Sequence, residues 1–335
     1  MPVGTVAFAR LRYDEPWAVM KIVCKSLPML NVVRNREIIA IANPTAGSNL
    51  RKEKMTSWSS RLPANTQLHV TSSSSHAEEL AYHASQQGYA MVIAVGGDGT
   101  VHSVLNGIMR NRENGASMGV VAMGSANDYA KSLRAYRTRH PSESTLVDIG
   151  RLRWADQVRY FANVVGVGLS SRVARYAESL RGWPARFRYS LAVLRCLRAG
   201  LSAETMEVMI DNPDRGENVE GYTQDTLLMM SIGIGTREGS FEMAAQARFD
   251  DGLFNTLQVG KLSRWDMLYY FPGVLRGQVP NTDPRIRQDV CREVRLRCQR
   301  PIGLHLDGEL PIVASDGIRE CTLDILPRHL SVHVL

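Results

Sequence analysis

An aspartate lies inside a glycine-rich turn at residues 95–100, VGGDGT. The turn follows an apolar run and precedes an amphipathic segment, so we expect it to join a strand to the start of a helix. Backbone N–H groups and the positive end of a helix dipole favour a bound phosphate at such a junction. Asp98 would repel that phosphate unless a cation lay between them. Because Mg²⁺ binds carboxylate and phosphate oxygens alike, the turn predicts a site for a phosphate ligand and Mg²⁺.

The same turn is also compatible with a role that needs no ligand. It lacks the Gly-Lys-Ser/Thr ending of one common phosphate-binding loop and the G-x-G-x-x-G spacing of another. An aspartate in a tight turn can cap the following helix with its own side chain. Taken alone, the turn leaves both interpretations open.

Two further polar turns follow short apolar runs. Residues 43–47, NPTAG, follow the run at 38–42, and residues 123–130, MGSANDYA, follow the run at 118–122. The carboxyl ends of parallel strands meet at one edge of an open sheet, where ligands bind. We therefore expect these turns and the glycine-rich turn to form one site. Asp128 lies near a predicted helix start, and a plain helix-start role is its alternative.

Three carboxylates in the second half of the chain lie in or beside Asp-Gly turns. Asp307 and Glu309 belong to the sequence LDGE, and Asp251 precedes a glycine. Residue type alone favours ordinary hairpin turns at both places, because Asp-Gly is a preferred turn dipeptide.

The elements that position the first set of turns alternate between strand and helix. Apolar runs at 38–42 and 90–95 are typical of strands buried on both faces, and residues 67–71 predict another strand. Residues 75–87 predict a helix. A second helix is predicted after the glycine-rich turn by apolar residues at helical spacing: Val101, Val104, Leu105, Ile108 and Met109. This alternation implies an α/β layer with a parallel sheet.

After about residue 148 the pattern changes to short β-like runs, which predict an antiparallel β-sandwich or barrel. Helices are expected to interrupt it at 183–200 and 263–276. The predicted organisation has four parts: an N-terminal extension at 1–36, a nucleotide-binding α/β domain at 37–147, a β-rich domain at 148–326, and residues 327–335 returning to the α/β domain.

Composition limits the cellular setting and the partners. The net charge of +7 suits acidic partners such as nucleotides or anionic lipid surfaces. Five cysteines without a C-x-x-C pair argue against a disulfide framework and a thiolate zinc site, and they favour a reducing, cytoplasmic location. We find no nucleic-acid-binding module, no signal peptide and no apolar run long enough to span a membrane. The sequence does not decide between a monomer and a homodimer.

Six motifs in order resemble the diacylglycerol kinase catalytic domain family, which includes bacterial soluble lipid kinases and sphingosine and ceramide kinases. The motifs are NPTAG at 43–47, VGGDGT at 95–100, GSANDYA at 124–130, NVVGVG at 163–168, ARFDDGLF at 247–254 and LDGE at 306–309. The resemblance covers roughly residues 37–335. It implies an α/β domain of the NAD kinase and diacylglycerol kinase type, a β-sandwich domain with inserted helices that takes the lipid, and an active site in the cleft between them.

The resemblance also implies roles for individual residues. Expected contacts to ATP are Asn43, Thr71, Gly96, Gly97, Asp98, Gly99, Thr100, Ser125, Asn127 and Asp128. Asp307 is the expected base that takes the proton from the lipid hydroxyl, and Glu309 is expected to assist with metal or orientation. Asp98 is the expected ligand of the catalytic Mg²⁺, and Asp251 matches a structural Mg²⁺ position of some relatives. The segments 236–240 and 244–246 depart from the family's glycine-rich run and proline, so the acceptor lipid stays undefined.

Two segments are candidates for contact with an anionic membrane at the inner face. Residues 181–200 form a predicted basic amphipathic helix, with Phe187, Leu191 and Leu194 on one face. Residues 265–274 are rich in aromatic side chains and are expected at the mouth of the lipid site. The alternative is that the first helix packs on its own domain and exposes only its basic face.

Two other functions stay open. NAD kinase and phosphofructokinase-like sugar kinases also carry a G-G-D-G turn for nucleotide phosphates. A protein that keeps the fold and binds nucleotide without catalysis is the third alternative. The residues 124–130 and 306–309 favour a lipid kinase over both, with ATP and Mg²⁺ as cofactors.

Overall fold

The computed structural model describes residues 20–21, 37–44, 58–111, 115–141, 145–180, 182–211 and 223–335. Its first region is a parallel sheet with helices on its faces. The elements are β1 Met20–Lys21, β2 Ile38–Ala42, β3 Thr66–Val70, α1 Ser74–Gln86, β4 Met91–Gly96, α2 Asp98–Met109, β5 Ser117–Ala122 and α3 Asp128–Arg139.

The burial of two central strands is typical of a parallel sheet with helices on both faces. Every residue of β2 and β4 is buried, as expected for strands covered on both faces. The order β3-β2-β4-β5 is parallel throughout. Helices α1 and α2 pack closely because Gly107 has no side chain; a Cβ atom there would lie 2.3 Å from the Glu78 carbonyl oxygen. This packing holds the C-terminal half of α2 against α1.

The second region is antiparallel, and its described residues include three α-helices. Its elements are β6 Leu146–Trp154, β7 Gln157–Phe161, β8 Val164–Gly168, α4 Leu169–Glu178, α5 Ala185–Ala199, β9 Glu204–Asp211, β10 Thr223–Gly233, β11 Arg237–Glu238, β12 Phe241–Glu242, β13 Phe254–Gly260, α6 Arg264–Val274, β14 Ile286–Cys291, β15 Glu293–Cys298, β16 Leu304–Leu306, β17 Glu309–Ile312 and β18 Glu320–Val334. Strand β10 pairs with β8, β9 and β13, and β15 pairs with β9 and β18. The predicted fold class is therefore confirmed.

The last strand joins the two regions. Residues 322–331 of β18 pair with β6 in antiparallel fashion, with a register shift between Leu326 and Leu330. After this shift, Val332, His333 and Val334 pair in parallel with β5. The end of the chain thus belongs to the first sheet, and the two regions share strand hydrogen bonds.

The structure provides no membrane-crossing helix among the residues it describes, since none of its helices is both long and apolar enough.

Candidate active site

A cleft of about 1040 Å³ lies between the two regions and is lined by both. At one end it is polar, with Asn43, Gly97, Asp98 and Ser125 from the α/β region. These residues follow the carboxyl ends of the parallel strands, so the topology brings their turns together.

The glycine-rich turn and the turn after β5 touch through their backbones. A Cβ atom on Gly97 would lie 3.1 Å from the Gly124 Cα atom, and one on Gly124 would lie 2.5 Å from the Gly97 Cα atom. Asn127 holds the second turn, because its Oδ1 accepts from the Gly124 N–H and its Nδ2 donates to the Gly124 carbonyl, both at 2.8 Å. Asn127 adopts φ 54°, a left-handed conformation that asparagine tolerates. The two turns form a backbone-walled cradle.

Asp98 begins α2 and is half-buried in this cradle. Its Oδ1 accepts a hydrogen bond of 3.2 Å from the Tyr129 N–H. Burial, with a smaller contribution from the charge of Asp128, raises the pKa of Asp98 to about 7. Burial also raises the pKa of Asp128. Two carboxyl groups in mutual repulsion would bind a cation readily, because a cation removes the penalty for charging both.

One carboxylate oxygen of this pair lacks a hydrogen-bond donor. The Oδ2 of Asp128 accepts from the Ser240 N–H at 2.7 Å, whereas its buried Oδ1 has no hydrogen bond and lies 3.7 Å from the Arg237 Nε. The Arg237 guanidinium is the ion-pair partner of this oxygen, so a hard cation bound between Asp98 and Asp128 would lie beside that positive charge. In the part of the chain that the structure describes, no group of three or more His, Cys, Asp or Glu side chains could hold a metal alone. Phosphate or water oxygens would have to complete the coordination shell of such a cation.

Asp307 enters the cleft from the β-rich region at a two-residue hairpin turn. Asp307 and Gly308 have φ 52° and 91°, and Leu306 pairs with Glu309. Both φ values suit the Asp-Gly turn that residue type favours. The carboxylate accepts three backbone hydrogen bonds: from the Ala162 N–H at 3.0 Å, the Asn163 N–H at 3.0 Å and the Val164 N–H at 2.9 Å. The turn is therefore a hairpin whose carboxylate is held in a fixed position.

Two contacts join the Asp307 turn to α2. The Nδ1 of His102, one helical turn after Asp98, lies 3.4 Å from the Asp307 Oδ2. Glu309 packs against the glycine-rich turn so closely that a Cβ atom on Gly99 would lie 2.3 Å from its Oε1. Glycine at position 99 leaves room for this approach, and a larger residue there would displace the Glu309 carboxylate.

Tyr189 of α5 also reaches the meeting point of the two regions. Its ring packs against Gly239, where an added Cβ atom would lie 2.9 Å from its Cδ1. Its hydroxyl lies 3.7 Å from the position of a Cβ atom on Gly308. Burial, reinforced by the charges of Asp128 and Asp98, raises the pKa of Tyr189 to about 12. Tyr189 is therefore a neutral hydroxyl near the carboxyl groups of Asp128 and Asp98.

The other end of the cleft is an apolar chamber between α4, α5 and α6. Its lining includes Val173, Val193, Leu257, Met267 and Phe271. Such a chamber accepts hydrocarbon, and its polar end lies at Asp307.

Two family models match consecutive parts of the chain. The diacylglycerol kinase catalytic domain matches residues 37–159, and the YegS C-terminal NAD kinase beta sandwich-like domain matches residues 163–334. The second match alone covers more than half of the chain. The chain belongs to the family defined by this C-terminal domain, and a diacylglycerol kinase catalytic domain precedes it. The catalytic domain and the curated relatives named diacylglycerol kinase confirm the predicted enzyme class, a lipid kinase.

Curated relatives and solved structures agree with this family. The chain is 25% identical over 285 residues to a diacylglycerol kinase of Bacillus subtilis, a match that covers 80% of this chain and 88% of the relative. It is 26% identical over 281 residues to a diacylglycerol kinase of Staphylococcus saprophyticus, covering 80% and 87%. A crystal structure of a diacylglycerol kinase from Bacillus anthracis matches with a TM-score of 0.62 at 14% identity, over 89% of this chain and 96% of that one. The structural likeness shows a shared fold.

Most residues that resemble the family's site residues line the cleft. Those that line it are Asn43, Gly97, Asp98, Gly99, Thr100, Ser125, Asp128, Asp307 and Glu309. Gly96 and Asn127 do not line it and act through their neighbours in the turns. Thr71 does not line the cleft: it is 4% exposed, and its N–H donates to the Ala42 carbonyl. Ser74, three residues later, does line the cleft. Residues 45–47 lie outside the described residues.

Asp251 lies away from the cleft of this family member. It is exposed, and its Oδ1 accepts from the Leu253 N–H at 3.0 Å within the local turn. A structural Mg²⁺ at Asp251 stays a prediction.

Sequence reasoning missed His102, Tyr189 and Ser74. For His102 a signal existed, because position 102 lies four residues after Asp98 and therefore on the same face of the predicted helix. For Tyr189 none existed, since its approach depends on how α5 packs against the β-rich region.

Proposed function

We propose that the protein transfers the γ-phosphoryl group of ATP to a hydroxyl of a lipid acceptor of the diacylglycerol or sphingoid type. The observation that carries the proposal is the shared cleft. The glycine-rich turn with Asp98, the Asp307 turn and the apolar side chains of the second region line this one cleft. A phosphate donor and a lipid alcohol could therefore meet at one carboxylate.

The nucleotide would occupy the polar end. The start of α2 presents backbone N–H groups and a helix dipole to its phosphates. Asn43 and Ser125 line the same end and could contact the remainder of the nucleotide. The close packing of Gly97 on Gly124 keeps this cradle narrow.

Asp98 and Asp128 would hold Mg²⁺ beside the phosphates, and Glu309 is a further candidate ligand. Bound there, Mg²⁺ would neutralise charge on the phosphoryl group during transfer. Two observations support this assignment: the pKa of both aspartates is raised, and the Oδ1 of Asp128 accepts no hydrogen bond.

Asp307 would accept the proton of the acceptor hydroxyl. As that proton moves to the carboxylate, the acceptor oxygen forms a bond to the γ-phosphorus, and the bond between this phosphorus and the ADP oxygen breaks. The three backbone donors and His102 hold the Asp307 carboxylate in place for this role. Preorganised groups of this kind avoid reorganisation during the reaction.

The acceptor would reach the chamber from a membrane surface at its mouth. Trp183, just before α5, and Phe187 of α5 are 50% and 58% exposed, and Trp265 and Tyr269 of α6 are 73% and 80% exposed. Aromatic side chains at a lipid interface bury their rings among headgroups and acyl chains. Exposed arginines at 186, 195, 198 and 264 would attract anionic headgroups. The predicted setting is therefore cytoplasmic, with peripheral contact to an anionic membrane.

The decisive test is an acceptor panel. Purified protein is incubated with γ-labelled ATP, Mg²⁺ and separate vesicles that contain diacylglycerol, monoacylglycerol, sphingoid base, ceramide or undecaprenol, and with NAD in solution. Label in a lipid product is the expected result. Label in NAD alone would assign the protein to the NAD kinases, and nucleotide binding without transfer would favour a non-catalytic role.

A further inference from the structure

A buried polar cluster lies directly behind the Asp307 turn. Glu238 of β11, His305 of β16 and Ser170 of α4 are 9%, 3% and 6% exposed. The His305 Nε2 lies 3.0 Å from the Glu238 Oε1 and 2.9 Å from the Ser170 Oγ, which itself donates to Glu238. Ser231 donates to the other Glu238 oxygen at 2.5 Å. Glu238 lies in the segment 236–240, where the sequence departs from the family pattern.

The cluster is a closed network that carries a negative charge. Burial disfavours that charge, but hydrogen bonds from His305, Ser170 and Ser231 hold the pKa of Glu238 below its ordinary value. Gly166 opposite His305 in β8 leaves the space for it, since a Cβ atom there would lie 2.3 Å from the His305 Nε2. Burying a carboxylate costs desolvation free energy, and such a group can be retained because it fixes one conformation of its neighbours.

The second ring nitrogen of His305 contacts the Asp307 turn. The Gly308 N–H donates to the His305 Nδ1 at 3.3 Å, and Gly308 follows Asp307 in the turn. Nδ1 can accept this bond only when it carries no proton, which places the ring proton on Nε2, facing Glu238. A carboxylate that accepts from one ring nitrogen selects the tautomer in which the other nitrogen is an acceptor.

We propose that Glu238 and His305 are positioning residues: Glu238 selects the His305 tautomer whose Nδ1 holds the Gly308 amide, and thereby sets the Asp307 turn for phosphoryl transfer. This inference rests on the proposed function, in which Asp307 is the proton acceptor. It assigns a role to the segment 236–240, whose neighbours Arg237 and Ser240 contact Asp128 on the nucleotide side.

Two substitutions of the same residue separate positioning from packing. In His305→Asn the side-chain oxygen occupies the place of Nδ1 and can still accept from Gly308, whereas in His305→Gln the amide group occupies the place of Nε2 and cannot. We expect His305→Asn to retain kcat within about threefold and His305→Gln to lose about 10- to 100-fold, a loss typical of a small displacement of a reacting group. KM for ATP should stay unchanged in both. A packing role predicts the reverse order, because glutamine matches the volume of histidine better; that order, or equal losses, would overturn the proposal.

A double-substitution test examines the role of Glu238. Glu238→Gln should lower kcat about tenfold in the natural background, and less than about twofold in His305→Asn, because asparagine has no tautomer to select. Equal losses in the two backgrounds would show that Glu238 acts independently of His305. Ser231→Ala is the matched control: it removes a donor to the same carboxylate without touching His305, and kcat should stay within about twofold.

Amide hydrogen exchange keeps this test separate from the proposed function. In a peptide that spans residues 303–310, His305→Gln should speed exchange at Gly308, and His305→Asn should leave it slow. This measurement needs no lipid phosphorylation. A natural protein that labels no lipid would overturn the proposed function alone, whereas unchanged exchange in His305→Gln would overturn the positioning role.

Discussion

Asp98 and Asp307 come from different regions of the molecule and are held by different means. Asp98 accepts a backbone hydrogen bond from the Tyr129 N–H and has a neighbouring carboxyl group, and burial raises its pKa to about 7. Asp307 is held by three backbone N–H groups. The Asp98 carboxyl group is therefore suited to bind a cation, and the Asp307 carboxylate is suited to keep a fixed position.

Substituting each aspartate should therefore have a different effect. Asp307→Asn should lower kcat by about 100- to 10,000-fold, because an amide cannot take the proton of the acceptor hydroxyl. ATP affinity should change by no more than a few-fold. Asp98→Asn should instead weaken Mg²⁺-dependent ATP use. Nucleotide binding by calorimetry and steady-state turnover measure the two effects.

Asp156→Asn serves as the control for both, because Asp156 is exposed in the turn between β6 and β7. Near-normal turnover by Asp307→Asn would show that the proton acceptor lies elsewhere.

The turns of the site were predictable because their signals are local. Glycines, Asn-Pro and Asp-Gly mark a turn whatever surrounds them, and the motif order then points to one family. His102 meets Asp307 across 205 positions of sequence, and Glu238 meets His305 across 67. No local propensity encodes such pairs: the first arises when the two regions pack, and the second when distant strands of the second region come together.

The cysteines provide a test of burial at individual positions. Burial raises the pKa of all four described thiols, to about 11 at Cys298 and about 12 at Cys321. A buried thiol that stays protonated at neutral pH is a poor nucleophile. Cys24 lies outside the described residues, so the test uses the Cys24→Ser variant. In its native state we expect none of the four remaining thiols to react with an aromatic disulfide reagent. Unfolding in guanidinium should release four thiols. Fast native-state labelling of any one would show that its helix or strand opens.

Helices α5 and α6 present apolar side chains in two directions. Met267, Tyr270 and Phe271 line the chamber, whereas Trp265, Leu268 and Tyr269 are exposed. On α5, Phe187, Leu191 and Leu194 are exposed as well, at 58%, 39% and 41%. The predicted apolar face thus stays uncovered by the described part of the protein. The interpretation in which α5 exposes only a basic face is not what the structure shows.

Two arginines of the predicted basic helix α5 pack on aromatic rings. Arg188 lies 4.9 Å from the ring centre of Tyr189, and Arg195 lies 4.5 Å from that of Tyr176. Arg181 lies outside the described residues. Cation-π packing orients these guanidinium groups, so exposed aromatic rings carry more of the proposed membrane contact than the sequence indicated.

Removing those rings should weaken membrane binding. Trp265→Ser combined with Tyr269→Ser should lower affinity for vesicles rich in anionic lipid at least about tenfold, because each aromatic ring loses its transfer from water. Co-sedimentation at low salt measures the effect. Val158→Ser is the matched control, since Val158 is 43% exposed on β7, outside these two helices. Unchanged binding of the double variant, or a loss as large in the control, would contradict the proposed docking surface.

Helix α4 and the bend in β18 were not predicted. Helix α4 begins directly after Gly168, at φ 72°, with no side-chain cap at its N-terminus, so its start carries no capping signal. The bend in β18 follows from the register shift at 326–330, which only the pairing with β6 defines. The α/β strands were predictable because continuous apolar runs mark strands buried on both faces.

The hydrophobic core does not stop at the boundary between the two regions. One cluster of buried side chains contains Ile41 and Leu133 from the first region and Leu323 from the second. Phe249 of the second region lies with its ring centre 5.9 Å from that of Tyr129 and 5.6 Å from that of Tyr136, both on α3. The active-site cleft therefore opens beside a continuous core, and Asp98 and Asp307 are held in one body.

This continuity predicts a single unfolding transition. Scanning calorimetry should give a calorimetric enthalpy equal to the van't Hoff enthalpy, because neither region can lose β18 or Phe249 without exposing core surface of the other. Phe249→Ala should lower the free energy of unfolding by about 3–5 kcal/mol and keep one transition, since it removes a fully buried ring shared by both regions. Phe187→Ala removes an exposed ring and should leave the midpoint unchanged. Two resolved transitions in the natural protein, or a midpoint shift from Phe249→Ala no larger than that from Phe187→Ala, would show that the regions fold separately and that the cleft is an interface between independent bodies.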